Sequence, residues 1–258
     1  MHTLHVECIG RGRPLVLLHG WAMHGGIFAP LVGRLSAQFE LHLVDLPGHG
    51  HSRGSALSID PAPCAAALIG QLPRAPWLGW SLGGLVAMHA AMAEASSVTG
   101  LVAVAASPRF VAAPDWPHGV DASVFAQFGE GLARDYRGTV DRFLALEAQG
   151  SDHMRDELRL LRERVYARGE PDPGVLVEGL AVLENQDLRA ALARLAVPSL
   201  WIAGRRDRLV TWQAMQAAAA LCPDGHFSCV AGGGHAPFLT HADAVASSVI
   251  DFVEGLPA

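Results

Sequence analysis

The chain has 258 residues, half of them hydrophobic, and a formal net charge of −6 at pH 7. A chain of this length buries roughly three quarters of its unfolded surface, which is enough for one large domain or for a core with an insertion. All 19 basic residues are Arg and they form no basic tract, so the composition argues against a nucleic-acid-binding protein.

The sequence shows neither an export signal nor a membrane span. Its first residues lack a cationic region followed by an apolar core and a small-residue cleavage site, and no apolar run is long enough to cross a bilayer. We therefore expect a cytoplasmic monomer with no membrane partner. Cys8, Cys64, Cys222 and Cys229 have neither metal-ligand nor disulfide-framework spacing, which predicts buried free thiols.

Short apolar β-type runs alternate with Ala- and Leu-rich helical stretches, an order typical of an α/β fold with a mostly parallel sheet flanked by helices. The predicted strands are 14–19, 41–45, 76–80, 101–106, 199–204 and 226–231. The region 108–187 breaks the alternation, because it has little β-like sequence and a cluster of charged helical residues. We predict a core formed by 1–107 and 188–258, and a helical cap formed by 108–187 over one end of the sheet.

A serine between glycines occurs in GWSLG (79–83), which matches the pattern G-x-S-x-G. It follows a predicted strand and precedes GLVAMHAAMA, a predicted helix. A strand that turns sharply into a helix strains the backbone at the serine and leaves no room for side chains on its neighbours, so glycines are required. The context predicts Ser81 as a nucleophile raised out of the sheet. The alternative is an ordinary β–α turn whose serine caps the helix.

A serine hydroxyl needs a base to take its proton and an anion to orient that base. On this kind of sheet the expected chain order is Ser, then Asp or Glu, then His. Asp207 follows the strand SLWIAG, and His235 lies in a glycine-rich loop after HFSCVA. Both would reach the same carboxyl edge of the sheet as Ser81, where ligands bind in open α/β sheets.

Other residues compete for these two roles. His226 begins a predicted strand and His241 enters the final helix, so neither lies in a loop that suits a reaching imidazole. Asp224 lies in CPDGH, whose composition already explains a turn. For Asp207 the alternative is a solvated carboxylate beside its neighbouring arginines.

Acyl transfer also needs two donors for the oxyanion. The backbone N–H of Leu82, the residue after the candidate nucleophile, is one. The other is expected in LLHGWAMHGG (17–26), where the N–H of Trp21 is the candidate. We interpret His19 as a residue that braces this loop. His24 can equally be an ordinary loop residue.

Five strings together, HGW, VDLPGHGHS, GWSLGG, GRRDRLV and GGGHAPF, are similar to the α/β-hydrolase superfamily over the whole core. More narrowly, the chain resembles the pimeloyl-[acyl-carrier protein] methyl ester esterases of biotin synthesis. The strings that carry this second resemblance are LHLVDLPGHGHSRG (41–54), WLGWSLGGLVA (77–87), VAASPRF (104–110), TVDRFLALEAQG (139–150) and GHAPFLTH (234–241).

The resemblance implies an α/β-hydrolase fold and hydrolysis of the methyl ester on a pimeloyl chain, which phosphopantetheine tethers to an acyl carrier protein. It implies neither a metal nor an organic cofactor. The residues matched by position are the triad Ser81, Asp207 and His235; the oxyanion and substrate contacts Trp21 and Leu82; the acyl-pocket residue Phe143; and the carrier-protein contacts Arg142, Arg155 and Arg159. Arg137 is offset from another such contact because Gly138 intervenes.

The cap can also be interpreted without the resemblance. Met154, Leu158, Leu161 and Val165 recur at helical spacing and are predicted to pack inward, beside a stripe formed by Arg155, Arg159 and Arg162. Guanidinium groups suit phosphates and carboxylates, so the stripe could bind an acidic carrier. Between 131 and 170, however, eight Arg accompany eight Asp or Glu, so a solvated helix with internal ion pairs explains them equally.

Three other functions are compatible with the same residues. One is a general carboxylesterase, and another is a carbon–carbon bond hydrolase or cofactor-free haloperoxidase. The third is a ligand receptor that has kept the triad without catalysis. Epoxide and haloalkane hydrolases are disfavoured, because the nucleophile position is Ser81 and not Asp.

Overall fold

A computed structural model describes residues 3–257 of the chain. Seven strands form one sheet in the order β1-β3-β2-β4-β5-β6-β7. Their bounds are Val6–Gly10 (β1), Arg13–Leu18 (β2), Phe39–Val44 (β3), Ala75–Trp80 (β4), Val98–Val104 (β5), Ser199–Gly204 (β6) and Gly225–Val230 (β7). Only β1 is antiparallel to its neighbour. The predicted α/β class with a mostly parallel sheet is confirmed, and β1 is the strand that the sequence pattern missed.

Eleven helices are defined within residues 3–257. Seven accompany the sheet strands: Ala29–Leu35 (α1), Pro61–Ile69 (α2), Leu82–Ala93 (α3), Arg189–Leu192 (α8), Trp212–Leu221 (α9), Pro237–Thr240 (α10) and Ala242–Gly255 (α11). The other four lie between β5 and β6 and are called the inserted helices: Ser123–Arg134 (α4), Tyr136–Ala148 (α5), Met154–Val165 (α6) and Pro173–Asn185 (α7). None of these eleven has the length and apolar composition needed to cross a membrane.

The helices cover the sheet from both sides. The connection from β2 to β3 runs in one direction across the sheet, and those from β3 to β4 and from β4 to β5 run in the other. Since such crossovers are right-handed, α1 lies on one face while α2 and α3 lie on the other. The packing agrees, because α1 contacts α11 and α2 contacts α3.

The central strands are buried on both faces. Every residue of β4 and β6 is buried, as expected for parallel strands between two helical layers. Parallel strands bring their carboxyl ends to one edge, so the loops after β2, β4, β5, β6 and β7 all begin there. That edge is where the predicted site residues lie.

Two sequence expectations about burial are confirmed only in part, since Leu161, Val165, Cys64 and Cys222 are buried as predicted but other members of each set are not. In α6 the buried face consists of Glu157, Leu161 and Val165, while Met154 is 45% exposed, because the helix is rotated from the predicted apolar stripe. The four cysteines are free thiols, but Cys8 and Cys229 are exposed. These two lie on β1 and β7, the edge strands, whose outer positions face solvent.

Arg168, just after α6, connects the inserted helices to the sheet. Its guanidinium donates to Asp45 at 3.2 Å and also pairs with Glu7 of β1. The Asp45 side chain is fully buried and accepts the amides of Gly25 at 2.7 Å and His51 at 2.8 Å. Burial raises the pKa of Asp45, but the two amides and the charge of Arg168 outweigh that effect and hold the pKa below the usual value. The carboxylate is therefore charged, and Arg168 is its cationic partner.

Replacing Arg168 with Met is expected to lower the free energy of unfolding by about 3 kcal/mol, the lower end for a buried pair because Arg168 is 17% exposed, since a buried carboxylate then loses its counter-charge. The melting temperature should fall by several degrees, at about 2–4 °C per kcal/mol for a chain of this size. Thermal unfolding followed by circular dichroism measures this. The matched control is Arg162→Met, which removes an exposed pair with Asp141 and should cost under about 1 kcal/mol. Equal losses in the two variants would contradict the role of Arg168.

Candidate active site

Ser81 lies at a strained turn between β4 and α3. Its backbone has φ 53° and ψ −120°, a left-handed φ that a non-glycine residue rarely adopts. The glycines around it permit the turn, since a Cβ on Gly79 would lie 2.3 Å from the oxygen of Gly83 and one on Gly84 would lie 2.2 Å from the Cβ of Ala106. The serine side chain is thereby fixed at the carboxyl edge of the sheet. Its hydroxyl does not cap α3, so the helix-cap alternative is wrong.

The structure brings Ser81, His235 and Asp207 into one hydrogen-bonded series. The Ser81 hydroxyl donates to Nε2 of His235 at 2.9 Å, and Nδ1–H of His235 donates to Oδ2 of Asp207 at 2.8 Å. The side chains of His235 and Asp207 have no exposed surface. Oδ1 of Asp207 accepts the amides of Leu209 and Val210, so this carboxylate is not the solvated group of the alternative interpretation.

The three competing residues lie elsewhere. His226 lies at the exposed start of β7 and pairs with Asp224 at 3.0 Å, while His241 precedes α11 and lies 3.4 Å from Asp152. None of these contacts involves Ser81. The geometry therefore selects His235 and Asp207 from the candidates in the sequence.

Two buried amides lie beside Ser81 without an acceptor. Trp21 and Leu82 are fully buried, and no hydrogen-bond acceptor for either backbone N–H is found within residues 3–257. The two segments are adjacent, since a Cβ on Gly20 would lie 3.2 Å from the Cβ of Ser81. Buried amides without a partner are rare in proteins, so a pair of them beside a candidate nucleophile indicates a place for an oxyanion.

His19 and His24 hold the loop that carries Trp21. Nε2 of His19 accepts the amide of Leu46 at 2.9 Å, and Nδ1–H donates to the oxygen of Gly20 at 2.8 Å. Burial, more than any neighbouring charge, lowers the pKa of His19 to about 3, so it stays neutral and braces the loop. Nδ1 of His24 accepts the amide of Gly26, and Nε2–H donates to the oxygen of Arg164 at 2.8 Å. His24 thus connects the loop to α6, a role that the sequence did not indicate.

Aromatic rings and α7 pack against the side chain of Trp21. The rings of Trp21 and Phe143 have centroids 4.5 Å apart, and Phe143 lies 5.1 Å from Phe128 of α4. The indole N–H of Trp21 donates to the oxygen of Leu176 in α7 at 2.8 Å. The Ser81 and His235 side chains have no solvent-exposed surface in this arrangement.

The predicted carrier-contacting arginines are exposed on the inserted helices, and most of them form ion pairs. Arg142 lies 3.5 Å from Asp135 and donates to the hydroxyl of Thr139. Arg159 lies 2.9 Å from Glu163, and the offset Arg137 pairs with Glu170. For Arg155, no carboxylate lies within 4 Å among the residues that the structure describes. Ion pairs on a solvated helix surface therefore account for most of these arginines without any carrier protein.

Two buried glutamates, for which the sequence gives no periodic signal, lie behind the catalytic candidates. Glu147 of α5 is fully buried, and neither carboxyl oxygen has a hydrogen-bond partner among residues 3–257. Glu157 of α6 is also fully buried, and its Oε1 accepts the amide of Ala236, next to His235, at 3.2 Å. Burial raises the pKa of Glu157 to about 7, and burial with the nearby charges of Glu157 and Asp207 raises that of Glu147 well above its usual value.

These glutamates should make stability fall as the pH rises. The folded chain keeps a proton on Glu157 that the unfolded chain releases near pH 4.5, so stability is lost between that pH and about 7. Glu157→Gln should remove the share of this dependence that Glu157 contributes, while the share of Glu147 remains, and the loss of free energy of unfolding from pH 5 to pH 8 should shrink by up to about 3 kcal/mol. Urea unfolding at the two pH values measures it. Glu163→Gln, on the exposed face of the same helix, should leave the dependence unchanged, and an equally unchanged Glu157→Gln would contradict the assignment.

Comparisons with known proteins agree with this fold. The alpha/beta hydrolase family model matches residues 15–248. A pimeloyl-[acyl-carrier protein] methyl ester esterase of Xanthomonas campestris pv. campestris (strain B100) is 57% identical over 254 residues, which cover 98% of this chain and 100% of the relative. One of Stenotrophomonas maltophilia (strain R551-3) is 57% identical over 253 residues, which cover 98% of this chain and 97% of the relative.

A solved structure gives independent evidence for the fold. The esterase EaEST from Exiguobacterium antarcticum superposes with a TM-score of 0.86 at 22% identity, covering 98% of this chain and 96% of the other. At that identity the likeness concerns the fold alone. Together with the full-length relatives it confirms the resemblance found in the sequence, and the chain belongs to the alpha/beta hydrolase family.

Proposed function

We propose that this protein is a serine esterase of biotin synthesis that hydrolyses the methyl ester of pimeloyl-[acyl-carrier protein] methyl ester, giving pimeloyl-[acyl-carrier protein] and methanol. The observation that carries the chemistry is the hydrogen-bonded series Ser81, His235 and Asp207 beside two amides without acceptors. The support for the substrate is the name shared by relatives that are 57% identical over almost the whole chain.

In the first half of the reaction, Oγ of Ser81 attacks the ester carbonyl while Nε2 of His235 takes the hydroxyl proton. The imidazolium that forms is stabilised by Asp207, which accepts its Nδ1–H. The amides of Trp21 and Leu82 donate to the oxyanion. His235 then returns the proton to the departing oxygen, so methanol leaves and the acyl chain remains esterified to Ser81.

In the second half, water attacks the acyl-enzyme. His235 takes a proton from the water, the two amides again hold the oxyanion, and the proton passes to the serine oxygen as its bond to the acyl carbon breaks. The product is a free carboxylate on the pimeloyl chain. The ester and water balance the reaction, so no other reactant is required.

The rings of Trp21, Phe143 and Phe128 suit an apolar acyl chain. Phe143 contacts the Trp21 ring, and Phe128 extends the same aromatic surface. A chain of methylene groups gains free energy by leaving water for such a surface, at about 0.8 kcal/mol per methylene. Phe143 is therefore proposed as the acyl-pocket residue, with Phe128 as a further contact that the sequence did not indicate.

The region 108–187 is proposed to act as a cap. Helix α7 contacts both proposed oxyanion residues, since a Cβ on Gly179 would lie 2.9 Å from Trp21 and 3.4 Å from Leu82. Because Ser81 is fully buried, the inserted helices must shift before an ester carbonyl reaches it. Arg142, Arg155 and Arg159 are proposed to contact the carrier protein on the outside of this cap.

A cytoplasmic location is part of the proposal. The four cysteines are free although two of them are exposed, and free thiols persist in a reducing compartment. The proposed acting form is the monomer.

The experiment that tests this function compares kcat/KM for methyl-pimeloyl carrier protein with kcat/KM for a short soluble methyl ester. The proposed function predicts a clear preference for the carrier-bound ester. A general carboxylesterase would turn over the soluble ester as well or better, and that result would contradict the proposed substrate while leaving the triad in place.

A further inference from the structure

Three arginines surround a cleft beside the Asp207 loop. Arg205, Arg206 and Arg208 are all exposed, and none has a carboxylate within 4 Å among the residues that the structure describes. By contrast, each of three arginines on the inserted helices pairs with a carboxylate, namely Arg137, Arg142 and Arg159. Unpaired guanidinium groups in a chain of net negative charge mark a local surface that favours an anion.

The neighbouring Asp207 does not neutralise this surface. Its side chain has no exposed area and is directed inward, where it accepts from His235 and from two backbone amides. The charges of the three arginines are therefore left for another partner.

The cleft has a defined shape. It has a volume of about 490 Å³, and its lining comprises Gly150, Arg205, Arg206, Asp207, Arg208, Thr211, Trp212 and Gln213. The guanidinium carbon of Arg205 lies 4.0 Å from the centroid of the Trp212 ring, a stacking that holds the group flat. The amides of Arg205 and Arg206 donate to Val230 and Gly233, so the backbone of the loop is also fixed. A planar guanidinium held in this way can donate two hydrogen bonds to one phosphate.

The cleft lies close to both the triad and α6. Its loop follows β6 at the carboxyl edge of the sheet and contains Asp207 itself. Gly150 forms another wall, since a Cβ there would lie 3.3 Å from Nε of Arg208. Three residues separate Gly150 from Met154, the start of α6, a distance of at most about 14 Å. A carrier protein in contact with Arg155 would place its acyl arm near this cleft.

We propose that this cleft binds the phosphate of the phosphopantetheine arm and so guides the acyl chain toward Ser81. The proposal rests on the proposed function, which supplies a phosphate-bearing tether. It assigns to the loop 205–208 a part in substrate recognition that is separate from the arginines of the inserted helices.

The test measures binding of two small ligands that differ by one phosphate, methyl-pimeloyl phosphopantetheine and methyl-pimeloyl pantetheine. Calorimetry on a Ser81→Ala background avoids their consumption. The phosphorylated ligand should bind about tenfold more tightly, and the triple substitution R205Q/R206Q/R208Q should remove that difference. The difference should also shrink as the salt concentration rises.

The control is R11Q/R74Q/R194Q, which removes the same charge from three exposed arginines at the opposite edge of the sheet. It should keep the preference for the phosphorylated ligand. Equal binding of the two ligands, or a preference that survives R205Q/R206Q/R208Q, would overturn the proposal. Failure of the wild-type chain to demethylate the carrier-bound ester, with the phosphate preference intact, would instead overturn the proposed function alone.

Discussion

Ser81→Ala is expected to lower kcat/KM for ester hydrolysis by about 10⁴ to 10⁶-fold. The substitution removes the only atom that can form the acyl-enzyme, while the two amides and the apolar cover remain to bind substrate. Direct attack of water on the bound ester would account for the activity that remains. The fold should persist, because within residues 3–257 the hydroxyl makes one hydrogen bond, to His235, and the strained backbone is held by the sheet and α3. Steady-state kinetics on the carrier-bound ester, with circular dichroism of both proteins, measures the two effects.

A matched control is Ser107→Ala, at the same edge of the sheet after β5. Ser107 is also buried, and its hydroxyl donates to the oxygen of Arg109 instead of to an imidazole. Its loss should leave turnover within a few-fold of the wild type. A Ser81→Ala protein that kept more than about a tenth of the wild-type rate would remove Ser81 from the mechanism.

Asp207→Asn is expected to lower kcat by about 10⁴-fold with little change in the fold. The Asn oxygen can still accept the amides of Leu209 and Val210, but its NH₂ group then faces Nδ1 of His235. Two donors cannot share that contact, so the imidazole is driven to the tautomer with a proton on Nε2. That nitrogen faces the hydroxyl of Ser81 and can no longer take its proton. Steady-state kinetics measures the loss of kcat. The nitrogen NMR resonances of the His235 imidazole report its tautomer.

Asp172→Asn provides the comparison. Asp172 caps α7 through the amide of Val175, and Asn caps helices equally well, so activity should be retained. Full activity in Asp207→Asn, with Nδ1 of His235 still protonated, would show that the carboxylate charge has no part in the reaction.

The fold was largely predictable because its strands are short apolar runs between helices of ordinary length. The strand β1 was not, since its five residues VECIG are only half-buried and lie at the edge of the sheet. The rotation of α6 was equally hidden. The apolar stripe predicted that Met154 packs inward, whereas the structure buries Glu157. A hydrophobic periodicity cannot indicate a charged residue at a core position.

The candidate site was predictable where the chemistry requires a fixed residue type in a fixed local context. Ser81 lies between glycines after a strand, and Asp207 and His235 follow later strands, so parallel topology brings them to one edge. Contacts between side chains from distant segments of the chain were not predictable. Glu157 reaches the loop of His235 from a separate helix, and Arg168 reaches Asp45 from far along the chain. Only the three-dimensional packing of the inserted helices shows these contacts.

The most direct measurement is mass spectrometry of methyl-pimeloyl carrier protein after incubation with the purified protein in ¹⁸O-labelled water. The methyl group should be lost, one heavy oxygen should enter the pimeloyl carboxylate and none should enter methanol, and Ser81→Ala should leave the substrate intact. An unchanged carrier-bound ester beside rapid cleavage of a small soluble ester would contradict the proposed substrate. Demethylation that continued in Ser81→Ala would contradict the mechanism.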